Sequence, residues 1–238
     1  MTDSRNAKGA VKGHLLLLIP VAAFLFSVLS VSLLWVVGFK VTGHVKPRFV
    51  GNRIFEANIV FACNLVMGLL CLAVMQERRG YGGARFRAVT GSALCTALCF
   101  GVMLGLLNNI SGKLVLGHAI PSGSSTLLQL ATGLLASAVA APFGEELFFR
   151  GLILNWMEER FSFLAAVVLN AVLFGLVHIA AYIGSPLVAL DFAFPAVLAV
   201  ASCRWAMTNK SLWQPVAAHS TYNFTVVVSH YLLSKAAV

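Results

Sequence analysis

The stretch Ala141-Pro142-Phe143-Gly144-Glu145-Glu146-Leu147-Phe148-Phe149-Arg150-Gly151 sets two carboxylates and a guanidinium within six positions of an apolar surrounding. Two further polar clusters follow it. One is Phe174 and His178, in Leu173-Phe174-Gly175-Leu176-Val177-His178; the other is His219 and Asn223, in Ala218-His219-Ser220-Thr221-Tyr222-Asn223. Carboxylates and imidazoles can take a proton from water or pass protons along a relay, and a carboxamide can donate to a developing oxyanion. Only three acidic residues fall inside apolar segments, Glu145, Glu146 and Asp191. An ionisable group at bilayer depth costs roughly 2.5–3.5 kcal/mol even on a lenient insertion scale, so adjacent carboxylates there imply a use.

Spacing separates the two glutamates. Glu146 and Arg150 stand at i, i+4 and meet on one helix face, as do His219 and Asn223. Glu145 is rotated about 100° from Glu146. Glu146 is therefore expected to pair with Arg150 as a structural unit, which leaves Glu145 for chemistry. Taken singly, an intramembrane His or Asn need be no more than an interhelical hydrogen-bonding group worth around 0.6 kcal/mol. Asp191 is kept outside the set, either lining a substrate path or pairing with Arg204.

The elements that carry these residues are membrane helices. The 238-residue chain is 59% hydrophobic and 11% charged, with a mean hydropathy of +0.88, where a soluble domain carries about 25% charged residues. A span needs about 20 apolar residues, and that rule predicts an all-α polytopic bundle of about seven helices, near 14–38, 56–76, 91–109, 125–158, 162–182, 186–206 and 211–234. The first run is too long for a signal peptide and has no convincing cleavage site after it, so it reads as a retained span. Glycine-rich and basic loops fill 40–55 and 77–90. A linker over 108–124, with Asn108, Asn109, Gly112, Gly117, Pro121 and Gly123, divides the chain into 1–124, three plain spans, and 125–238, a bundle with polar residues inside. The fourth helix would be about 51 Å long against a hydrocarbon core of about 30 Å. It must tilt, or bend at Pro142-Phe143-Gly144.

The net charge of +9 sits mostly in loops between spans, where Lys and Arg set topology and meet headgroups. Its distribution favours a cytoplasmic N-terminus. No nucleic-acid-binding module accompanies it, so no nucleic-acid partner is expected. The five cysteines form no CxxC pair and read as small hydrophobes. Counted from one membrane face at 1.5 Å per residue, Glu145 lies about 20 Å in, His178 about 24 Å, His219 about 12 Å and Asn223 about 18 Å. The four can converge on one buried site.

Glu-Glu-x-x-x-Arg, Phe-x-x-x-His and His-x-x-x-Asn, in that order on successive late helices, resemble the CAAX protease and bacteriocin-processing family of intramembrane proteases, which includes the type II prenyl-protein endopeptidases. All three motifs are present without substitution, and the resemblance covers about residues 125–230. It implies an intramembrane endopeptidase in which Glu145 activates a water that His178 helps to hold, while His219 and Asn223 stabilise the oxyanion. Glu146, Arg150 and Phe174 support them. A metal-dependent version is the alternative, with zinc held by Glu145, His178 and His219, a His₂Glu set. The metal-free form is favoured, because no His-Glu-x-x-His is present and Asn is a poor zinc ligand. A proton-coupled transporter or a non-catalytic bacteriocin-immunity protein are the readings from other classes; neither an internal repeat nor a lost motif residue supports them. The expected partner is a membrane-associated peptide, whether a prenylated tail, a bacteriocin leader or a C-terminal sorting tail. The expected location is the plasma (inner) membrane of a prokaryote.

Overall fold

The computed structural model describes residues 21–22, 53–77, 86–116, 126–179 and 187–236. Among them six helices run in chain order: α1 (Arg53–Glu77), α2 (Gly91–Leu116), α3 (Leu127–Glu158), α4 (Phe163–Ile179), α5 (Val188–Asn209) and α6 (Trp213–Ala236). No strand is found among the described residues; an isolated bridge joins Phe86 to Ser211. Four helices are long and apolar enough to cross a membrane: Ala57–Gln76 within α1, and α2, α3 and α5. Over the described residues the chain is all-helical, and it is an integral membrane protein. The helix expected at 14–38 lies outside the described residues except for 21–22.

Helix α2 runs past the expected end at 109 to Leu116, so the first part of the expected linker is helical. Asn108 is held there by a tertiary contact, its amide donating to the Tyr222 hydroxyl on α6 at 2.8 Å. The α2–α6 seam is close along most of its length. A Cβ on Gly101 would lie 2.2 Å from the Ala218 carbonyl oxygen, and one on Gly105 would lie 2.9 Å from that of Tyr222. The pair Gly101-x-x-x-Gly105 is the small-residue spacing that lets membrane helix backbones approach.

Helix α3 begins with a reciprocal cap. Thr126 Oγ1 accepts from the Gln129 N–H at 3.2 Å and Gln129 Oε1 from the Thr126 N–H at 2.9 Å, satisfying two donors that a helix start leaves open. The helix then continues for 32 residues. Two segments of it are π-helical, Leu135–Ala140 and Leu147–Ile153, on either side of Ala141–Glu146. Pro142 therefore does not end the helix. Ala140, Ala141, Glu146 and Leu147 all keep right-handed helical dihedrals, and the ladder around the proline is widened rather than broken, a common feature of functional helix segments. Gly144 serves a contact: a Cβ there would stand 2.5 Å from the Asn64 carbonyl of α1.

The main core joins α1 to the second half of α3, with Met67, Cys71 and Met75 against Leu147, Phe148 and Leu152, and extends to Ala171 and Phe174 of α4. The opposite face of α1 exposes Leu65, Val66 and Leu69. Apolar side chains on both faces are what a helix between protein and lipid requires. Between α5 and α6 the chain turns at Lys210, in the left-handed region at φ 49°. Ser211 Oγ then accepts the Trp213 N–H and donates to the Arg87 carbonyl at 2.7 Å, tying the start of α6 to the segment before α2.

Candidate active site

Three helices meet around Glu145. Helix α3 supplies Glu145, Glu146 and Arg150; α4 supplies Phe174 and His178; α6 supplies His219 and Asn223. The order of burial divides the roles. The Glu146 and Arg150 side chains are 0% accessible, whereas Glu145 is 19% and His178 30% accessible. Glu145 and His178 are partly accessible, and Glu146 is fully enclosed.

Arg150 lies 3.2 Å from Glu146 Oε1, the i, i+4 pair expected from the spacing. Its guanidinium also lies over the Phe174 ring, 4.3 Å from the centroid, a desolvated cation–π contact. Glu146 has a second partner that spacing alone does not reveal: its Oε1 stands 2.9 Å from His219 Nδ1. The structural glutamate thus orients an imidazole.

Both histidines have their Nδ1 engaged. His178 Nδ1 donates to the Phe174 carbonyl at 2.7 Å, as the bond can form only with the proton on the nitrogen. His219 Nδ1 faces a carboxylate in the same way. A neutral His178 ring then turns its Nε2 lone pair outward, while His219 Nε2 accepts in the neutral ring and donates when the ring carries both protons. Those two nitrogens stand 3.8 Å (His178) and 3.9 Å (His219) from Glu145 Oε2. Such distances are too long for direct hydrogen bonds, and they leave a gap in which a water molecule could give one proton to Glu145 Oε2 and one to His178 Nε2 while its lone pair faces His219 Nε2.

Tetrahedral zinc with ligand bonds near 2.0–2.1 Å holds neighbouring donor atoms roughly 3.3–3.4 Å apart, about half an ångström closer than these. Among the described residues no three His, Cys, Asp or Glu side chains are arranged to hold a metal ion. The donor types suit zinc, and a carboxylate behind His219 is an arrangement zinc ligands use, but the present spacing does not form a ligand set.

Phe174 is the hub of the cluster. Fully buried, it packs edge-on to Phe149 at 4.9 Å and to His219 at 5.7 Å, and lies 4.4 Å from the His178 ring. One aromatic ring therefore fixes both imidazoles and the arginine. Asn223 sits one turn beyond His219, where its amide donates to the Ser137 carbonyl at 2.6 Å. It joins α6 to the first π-helical segment of α3 rather than touching Glu145, although a carboxamide has a second N–H. Asp191 lies apart from this cluster. Arg204 is 13 residues further along the same helix, about 20 Å away, and does not pair with it.

Asn170 is the residue that motif reasoning passes over. Fully buried on α4, it donates to the Phe149 carbonyl at 2.9 Å and accepts from Cys203 Sγ at 3.3 Å, pinning α4 to the second π-helical segment of α3 and to α5. The signal was available: Asn170, Phe174 and His178 repeat every four residues along one helix face.

Among protein families, residues 127–225 match the one described as type II CAAX prenyl endopeptidase, Rce1-like. No curated protein and no solved structure matches the chain. The matched segment begins at the first residue of α3 and ends two residues past Asn223, so it takes in Glu145, Glu146, Arg150, Phe174, His178, His219 and Asn223 together. Over residues 127–225 this membrane protein is similar to the Rce1-like type II CAAX prenyl endopeptidase family.

Proposed function

We propose that the chain is an intramembrane endopeptidase of the CAAX type that hydrolyses a peptide bond in a membrane-associated substrate through a water activated by Glu145. The observation that carries this reading is the gathering of Glu145 Oε2, His178 Nε2 and His219 Nε2 within 4 Å of the carboxylate, inside the family-matched segment.

A water in the gap gives one proton to Glu145 Oε2 and is held by the His178 Nε2 lone pair. As Glu145 takes that proton, the water oxygen bonds to the scissile carbonyl carbon and the carbonyl electrons move onto oxygen. The oxyanion needs donors. His219 Nε2 supplies one in this scheme when its ring carries both protons. The free N–H of Asn223 is the second donor in this scheme. On collapse the C–N bond breaks and the leaving nitrogen takes the proton from Glu145, giving one new carboxylate and one new amine.

The substrate proposed is a peptide anchored at the membrane, with a prenylated C-terminal tail as the first candidate. Purified wild type should cleave a farnesylated CAAX peptide, and Glu145→Gln should lose about 10²–10⁴-fold in rate, the contribution of a positioned general base. Undiminished cleavage by the variant would remove Glu145 from this role. Elemental analysis of the wild type beside His178→Ala addresses the metal-dependent alternative: stoichiometric zinc that disappears in the variant would replace the metal-free scheme.

A further inference from the structure

A cavity of about 300 Å³ opens at the junction of α2, α5 and α6, lined by Asn108, Asn109, Leu190, Asp191, Val226 and His230 among others. It is separate from the Glu145 cluster and shares no residue with it. Its polar content is unusual for this bundle, since it holds the third acidic residue of the apolar segments. Asp191 Oδ2 and Asn109 Nδ2 are both buried and have no hydrogen-bond partner among the described residues. Pro195 adds to this, because it has no N–H to offer the Asp191 carbonyl four residues before it. A buried carboxylate oxygen and a buried amide donor that line one cavity, neither with a partner among the described residues, are costly unless a ligand answers both. The complementary group is a cation, accompanied by a carbonyl.

Helix α6 runs from the reacting groups to the cavity. His178 is at the C-terminal end of α4 and Asp191 in the first turn of α5, the next helix, so both lie towards the same end of the bundle. On α6, His219, Asn223, Val226 and His230 follow one another at i, i+4, i+7 and i+11, a single helix face. From His219 to His230 this face runs about 16 Å at 1.5 Å per residue. An extended peptide covers that distance in about five residues at 3.3 Å each.

We infer that this cavity is a substrate subsite that receives a basic side chain about five residues along the peptide from the bond cleaved, with the ammonium or guanidinium on Asp191 and a backbone carbonyl on the Asn109 amide. The inference rests on the protease reading for its substrate, and it adds a sequence preference: a Lys or Arg at one fixed distance from the cut.

The test is a binding measurement on the full chain in lipid nanodiscs, made with the Glu145→Gln protein so that peptide is not consumed. The probes are fluorescein-labelled farnesylated dodecapeptides in which a single Lys is moved along an otherwise norleucine-substituted stretch, read by fluorescence anisotropy. One Lys position, four to six residues from the expected cut, should bind about tenfold more tightly than the all-norleucine peptide. Asp191→Asn, nearly isosteric, should abolish that advantage and leave the all-norleucine affinity unchanged. No preferred position, an advantage that survives Asp191→Asn, or an equal loss of affinity for every peptide would each overturn the subsite. Failure of the protease reading is distinguished separately: wild-type protein that binds the peptides but never cuts them refutes the hydrolysis, while the Lys dependence of binding is decided on its own.

Discussion

Replacing Gly101 by alanine, a change of one methyl group 44 residues before Glu145 in sequence, should disable the site. The added Cβ would lie 2.1 Å from Thr221 Oγ1 and 2.2 Å from the Ala218 carbonyl oxygen. The threonine hydroxyl can rotate away; the carbonyl belongs to the α6 backbone and cannot. Ordinary contact begins near 3.4 Å, so α2 and α6 must part by about 1.2 Å, and overpacking of this kind costs about 1–3 kcal/mol. The residue after Ala218 is His219, whose Nδ1 stands 2.9 Å from Glu146 Oε1. A 1 Å misplacement of a reacting group can cost about 10²-fold in rate. Gly105→Ala, with its nearest backbone obstruction at 2.9 Å, should be milder in both respects. Gly133→Ala has nothing within 4 Å and should be neutral or slightly stabilising, since alanine is the better helix former. The assay pairs thermal unfolding in detergent, followed by tryptophan fluorescence, with initial cleavage rates on a farnesylated peptide. A Gly101→Ala protein that melts and cleaves like the wild type would refute the reasoning, and so would equal damage from Gly133→Ala.

Two further substitutions test the supports of the site. Arg150→Met leaves the buried Glu146 carboxylate without its cation 3.2 Å away, and should destabilise by about 3–5 kcal/mol; adding Glu146→Gln should recover part of that loss, measured as the shift in unfolding temperature. Asn170→Ala strips a donor from the Phe149 carbonyl and an acceptor from Cys203. It should cost about 1–3 kcal/mol, and Asn170→Asp should fail to restore it because a carboxylate cannot donate to the carbonyl.

Much of the site was legible in the linear chain because its elements are local. Glu146 and Arg150 pair across one turn of the same helix, and any α-helical reading places them together. His219 and Asn223 likewise share a face, yet the structure sends their side chains to different partners, Glu146 and the Ser137 carbonyl. That division depends on how α6 lies against α3, which no spacing within α6 encodes. The excess length of the fourth helix left a tilt or a bend at Pro142-Phe143-Gly144 open; the structure adds that π-helical turns flank the proline, which the residue types did not reveal. Asn108 and Asn109 read as a helix stop, but Asn108 has a tertiary partner in Tyr222 and the helix runs on.

Sequence alone determined that this is a helical membrane protein, where the described spans lie to within several residues, and which glutamate has its charge matched on its own helix. These follow from hydropathy over about 20 residues and from the geometry of one helical turn, both local properties. Tertiary structure decided which imidazole nitrogens face Glu145, that Glu146 orients His219, that Asn170 clamps three helices, and which glycines lie against a neighbouring backbone. The physical reason lies in the solvent. Lipid is as apolar as the protein core, so a helix such as α1 carries Leu65 and Leu69 outward and Met67 and Cys71 inward with no difference in polarity to mark the faces. Hydropathy says that such a helix is buried in something; only the packing says in what.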